Sequence, residues 1–184
     1  MALVLIKEDG TGRVDANSYA AAADGDAFHD GHLYASAWTA ATLANKEKAL
    51  VMATRLIDAE YQFNGFKAND EQALQWPRER CADPDRSGGI GFSLVLNFGN
   101  YFDSDEVPAA VVSATCEMAR ELLVVDRTAA PPGEGLKYEN VSTTQTGYDK
   151  RDTRPVISHV AQAMLAKFGE LIKSRSGAVR LTRA

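Results

Sequence analysis

Residues 107–127 read Val-Pro-Ala-Ala-Val-Val-Ser-Ala-Thr-Cys-Glu-Met-Ala-Arg-Glu-Leu-Leu-Val-Val-Asp-Arg, and this stretch decides the fold class. Pro108 suits a first helical turn, where its missing N–H has no intrahelical partner to lose. Asp105 and Glu106 just ahead of it complement the positive end of a helix dipole. The spacing predicts a helix from Pro108 to about Arg127. Val111, Thr115, Met118, Leu122 and Val125 recur at helical period as one stripe, and Val112, Cys116, Ala119 and Leu123 form a second beside it. Two adjoining stripes require burial on more than one side. In a chain of 184 residues the second stripe is expected to pack against a neighbouring subunit.

Working outward, a second helix is expected from Thr42 or Asn45 to about Tyr61, with Ala49, Met52, Ala53, Leu56 and Ile57 on one face. Leu3–Lys7 reads as a short strand. Asn17 or Ser18 is a candidate N-cap for a helix to about His29, weakened by Gly25 and ended near Gly31. Glu71–Leu74 reads as a helical turn stopped by Trp76-Pro77, and residues 79–106 are irregular and rich in apolar and aromatic side chains toward their end. Pro131-Pro132-Gly133 marks a linker. Leu136–Tyr148 reads as an exposed strand or hairpin with a free edge for another chain. Pro155 opens a last expected helix to about Lys173, with Ile157, Val160, Ala161, Met164, Phe168 and Leu171 on its buried face. The reading is a mainly α chain. We expect a small helical bundle over residues 1–173, a β-rich arm at about 134–149, extended ends, and a docking tail over 174–184.

Charge is unevenly distributed. Residues 1–149 carry 12 basic and 23 acidic side chains, a balance of −11, whereas residues 150–184 carry 8 and 2, a balance of +6. The body is expected to repel nucleic acid and the tail to seek an acidic partner. No run approaches the roughly 20 apolar residues of a membrane span. The apolar start at Leu3–Ile6 meets Lys7, Glu8 and Asp9 at once, unlike a secretory signal, so cytoplasmic synthesis is expected. Two distant cysteines, Cys81 in a polar loop and Cys116 in an apolar helix, are expected to stay free and reduced.

Few residue groups suggest chemistry. Asp24, Asp26, His29, Asp30 and His32 cluster, and Asp26 with His29 would share a helix face as metal ligands can. The polar face of an amphipathic helix accounts for them better, because no second ligand cluster completes a site. Gly88-Gly89-Ile90-Gly91 lacks the flanking strand, helix and Lys-Ser/Thr pair of a phosphate loop. Trp76, Arg78, Arg80 and Arg86 with Phe92 could stack single-stranded nucleic acid. Glu79, Asp83 and Asp85 interrupt that run, which favours a core tryptophan with solvated arginines. The expectation is no enzyme, no cofactor and no metal.

Glu8-Asp9-Gly10-Thr11-Gly12, Asp15-Ala16-Asn17-Ser18-Tyr19, Gln72-Ala73-Leu74 with Trp76-Pro77-Arg78, and Val107-Pro108-Ala109-Ala110-Val111 follow in that order. Together they resemble a family of tailed-phage and prophage proteins, labelled in some members DnaT-like single-stranded-DNA-binding proteins and in others head-tail connectors or adaptors. Pro155, Ile157, Val160, Leu165 and the basic-apolar tail extend the resemblance over nearly the whole chain. It implies a helical virion protein of the phage neck, made in the bacterial cytoplasm. The adaptor would form a homo-oligomeric ring, expected to be dodecameric, between the portal and a tail stopper or completion protein. Double-stranded DNA would pass its lumen without specific binding, and no membrane is involved. Subunit packing falls to Val112, Cys116, Ala119 and Leu123. Portal docking falls to Arg175, Val179, Arg180, Leu181 and Arg183. The alternative is a single-stranded-DNA-binding protein of phage replication.

Overall fold

A computed structural model describes residues 3–83, 85, 101–130, 138–141, 144–147 and 154–172. The expected portal-docking residues, Arg86, the Gly88–Gly91 loop, Phe92 and the Pro-Pro-Gly linker lie outside these. The described elements are α1 (Ala22–Asp30), α2 (Ser36–Thr39), α3 (Leu43–Glu60), β1 (Tyr61–Phe63), β2 (Phe66–Lys67), β3 (Arg78–Glu79), α4 (Ala109–Val124), β4 (Tyr138–Val141), β5 (Thr144–Gly147), α5 (His159–Leu165) and β6 (Gly169–Leu171). The architecture is mainly α, with three two-stranded antiparallel pairs: β1 with β6, β2 with β3, and β4 with β5. No described helix is long and apolar enough to cross a membrane.

The helix within residues 107–127, α4, ends at Val124, short of the expected Arg127, and is the centre of the fold. Pro108 caps α4, and Val111, Ala114, Thr115, Cys116, Met118 and Ala119 are all fully buried along it. α3 and α5 pack on α4, as do α1 and α2. The second apolar stripe is therefore covered differently from expectation. Cys116 and Ala119 are wholly enclosed by their own chain, and His29 of α1 reaches the Cys116 carbonyl at 3.1 Å. Val112 and Leu123 are half-buried against the same core. Two short helices of weak apolar signal, α1 and α2, close over this stripe.

α3 begins where its cap residue lies, with the Thr42 hydroxyl accepting the Asn45 N–H. Ala49, Leu50, Ala53 and Ile57 enter the core, while Met52 stays 37% exposed. The expected N-terminal strand reduces to a single bridge from Lys7 to Ser18. α1 starts later than expected, because Asn17 is used elsewhere: its side chain accepts the Ile6 N–H and donates to the Val4 carbonyl. Asp24, in the first turn, reaches back to the Ala21 N–H and pairs with Lys7. The last expected helix is shorter. Ser158, not Pro155, caps α5, and the chain then turns into β6, which pairs Leu171 with Tyr61.

Gly25 does more than weaken α1. A Cβ there would lie 2.3 Å from the Trp38 ring, and Trp38 is 1% exposed. The bare helix face is the seat of the tryptophan. Alanine at an ordinary helix glycine stabilises by about 1 kcal/mol. Gly25→Ala is expected to lower the thermal midpoint instead, while Gly31→Ala, with nothing near its added Cβ, leaves it unchanged or raised. Denaturation of the two variants followed by circular dichroism checks this. A Gly25→Ala protein more stable than wild type would contradict it.

Candidate functional site

The motif residues of the N-terminal half turn inward. Glu8 is 1% exposed, and its carboxylate accepts the N–H groups of Gly10 (3.0 Å), Gly12 (2.9 Å) and Arg13 (2.9 Å). This wraps the Glu8–Arg13 turn around one carboxylate, which replaces lost water with backbone donors. Gly10 has φ +102°, and a Cβ there would collide with the Asp105 carbonyl. The turn is thereby set against the chain just ahead of α4.

Tyr19 is fully buried. Its hydroxyl donates to Asp58 Oδ1 at 2.5 Å and accepts the N–H groups of Gln75 (3.0 Å) and Trp76 (3.2 Å). Asp58 Oδ2 takes a second bond from the Gln75 N–H at 3.1 Å. Burial raises the Asp58 carboxyl to about 6, against the lowering effects of Tyr19, the Gln75 amide, Lys67 and Arg78. Burial, followed by the Asp58 charge, pushes the Tyr19 hydroxyl well up, so it remains a neutral donor.

Trp76 is 0% exposed at a cis peptide with Pro77. Phe63, Phe102 and Phe168 surround it edge-on, with ring centres 5.7–6.2 Å away. Arg78 is 4% exposed. Its guanidinium donates to the carbonyls of Phe63, Asn64, Gly65 and Gln75 and to the Gln75 side chain. Desolvation lowers its pKa, but a guanidinium stays charged. Neither residue is available to stack on a base. The expected solvated arginines divide: Arg80 is exposed, with φ 56°, whereas Arg78 is an interior clamp. Cys81, expected in a polar loop, is fully buried, as is Cys116, and both are free thiols.

The acidic-histidine cluster does not converge. Asp26 accepts from Trp38 Nε1 (2.8 Å) and Lys46 Nζ (2.7 Å), which hold its carboxyl below the usual range, Lys46 most. His29 is buried, and desolvation lowers its pKa. Glu117 is buried on α4 and pairs with Arg120 at 2.6 Å, with His32 at 3.9 Å. Among the described residues no three His, Cys, Asp or Glu side chains are grouped to hold a metal. One open groove of about 460 Å³ lies on the outer side of α3, lined by Leu3, Lys48, Val51, Met52, Arg55 and Leu56.

Sequence reasoning missed Asp58, placing it off the apolar face of α3. The signal was present: Val51, Thr54 and Asp58 follow at helical spacing beside that face, and Val51 and Thr54 are both buried. The Asp58 pKa gives a signed prediction. An unfolded aspartate titrates near ~3.9, so between there and about 6 the folded chain keeps a proton that the unfolded chain releases. This contribution stabilises fully below the unfolded value and is lost as pH rises through the folded one. Relative to Asp58→Asn, wild type is expected to gain on the order of 2 kcal/mol as pH falls from 7 to 4. Urea unfolding of both proteins across that range measures it, and a pH-independent difference would contradict it.

No curated protein and no solved structure matches the chain. The sequence profile of the family described as "Putative DnaT-like ssDNA binding protein" matches residues 1–184. The turn on Glu8, the Tyr19 hydroxyl and the Trp76–Arg78 segment all lie in that span, and the chain belongs to this DnaT-like family.

Proposed function

We propose that this chain is a structural subunit of a tailed-phage neck, a head-to-tail adaptor whose small helical body joins sister copies in a ring between the portal and the tail stopper or completion protein. The observation that carries the reading is the inward direction of the motif side chains. Trp76 and Arg78, the best candidates for gripping a nucleic acid, are buried in the body, and residues 1–149 have a balance of −11. Such a body suits a conduit along which double-stranded DNA slides, because it offers few cations to phosphates. No step of chemistry is assigned to it. Val112 and Leu123 keep partly open surface for a sister copy, whereas Cys116 and Ala119 act through the core that presents them.

The C-terminal tail supplies the portal contact in this proposal. The Ile172 N–H donates to the Glu60 carbonyl at 2.8 Å. Beyond it Lys173, Arg175, Arg180 and Arg183 occur with no acid among them, interleaved with Val179 and Leu181. Removal of residues 174–184 is expected to leave the thermal midpoint within about 2 °C and to abolish capture by immobilised portal. Normal capture of the shortened chain would contradict the docking role.

The family description favours a second reading, a single-stranded-DNA-binding protein of phage replication. In that case the grip comes from groups other than the enclosed Trp76 and Arg78, the cations of the tail among them. Fluorescence anisotropy with a labelled oligonucleotide separates the two. The adaptor reading expects binding no tighter than about 10 µM at physiological salt, the range of non-specific attraction. Tighter binding that persists at high salt would select the second reading.

A further inference from the structure

The groove on α3 has the chemistry of a socket. Its floor is apolar, from Leu3, Val51, Met52 and Leu56, and cations stand at both ends. Lys48 and Arg55 are seven residues apart, two turns along one helix face, with Met52 between them. Lys46 is spent on Asp26, but neither Lys48 nor Arg55 has an ion-pair partner among the described residues. A suitable occupant has an apolar knob and a carboxylate beside it.

The chain carries such a knob elsewhere. Phe66 on β2 is 67% exposed, an unusual state for an aromatic ring. Its cross-strand partner in register is Glu79 on β3, so ring and carboxylate share one side of the ladder. Glu79 is exposed and has no ion pair among the described residues, and Asp70 and Glu71 follow on the loop between the two strands. Phe66 is exposed in its own chain, so the knob does not fill its own socket.

We infer that the α3 groove receives the Phe66–Glu79 corner of a second copy of this chain, with Phe66 on Met52 and Glu79 toward Arg55 or Lys48. The pairing joins two different faces, so it propagates from copy to copy and closes a ring wherever the rotation permits. This rests on the proposed ring assembly and names the surface that builds it. Nucleic acid is the poorer occupant, because the groove has no aromatic side chain on which a base would stack.

Sedimentation velocity of the full chain over a wide concentration range tests the pairing. Wild type is expected to self-associate. Arg55→Glu and Glu79→Arg are each expected to weaken association about tenfold or more, since each sets like charges together. Mixing the two variants restores it, because each knob then meets a socket of opposite sign. Wild-type association untouched by either variant, or no recovery on mixing, overturns the socket but leaves ring assembly standing. A wild-type chain monomeric throughout also overturns the socket, and the adaptor reading falls with it only if portal capture fails as well. Oligonucleotide binding lost on Arg55→Glu overturns it in favour of nucleic acid.

Discussion

The hydrogen bond from the buried Tyr19 hydroxyl to the half-buried Asp58 carboxyl organises the rest of the fold. It ties the segment before α1 to the end of α3, and the same two groups hold the N–H groups of Gln75 and Trp76. Three separate parts of the chain therefore meet at one polar point. Removing one partner would leave a buried group without a bond, a larger loss than the net gain of an ordinary hydrogen bond. With that point in place Trp76 enters the ring of Phe63, Phe102 and Phe168, and Arg78 gathers the carbonyls that close the loop from Phe63 to Gln75. The Glu8 turn repeats the device on a smaller scale, with one carboxylate collecting three backbone donors.

What was legible in the sequence follows the range of the interactions. α3 and α4 were readable because their periodicity, the Thr42 cap and Pro108 are local signals. The last helix was overextended because Phe168 and Leu171 keep an apolar rhythm while contributing to a turn and to β6, whose partner Tyr61 is remote in sequence. Asp58 and Arg78 are polar and carry the pattern of surface groups, and Tyr19 gives no local sign of its burial. They are interior because of partners many residues away, and no local pattern reports that. The same reason hid the closing of α1 and α2 over Cys116 and Ala119: it took Gly25 to admit Trp38, and a single helix glycine resembles a flaw.

The inward framework also determines where function can reside. Glu8, Tyr19, Trp76 and Arg78 are occupied with holding loops in place. Apolar residues such as Leu33, Tyr34 and Phe66 stay exposed on the outside. Such surfaces recognise other surfaces. The proposed head-to-tail association between copies joins two different faces of the chain. The family's printed description names single-stranded DNA, and the physical objection to that role here is specific: the aromatic ring and guanidinium best placed in the sequence to bind it are enclosed.

Amide hydrogen exchange at Gln75 and Trp76, with and without a single-stranded oligonucleotide, addresses this framework directly. Both amides donate to the Tyr19–Asp58 pair. They should exchange as slowly as the interior of α3 and α4, through opening of the whole body, and at rates that the oligonucleotide leaves unchanged. Exchange as fast as in an open loop, or marked slowing when the oligonucleotide is added, would contradict the account.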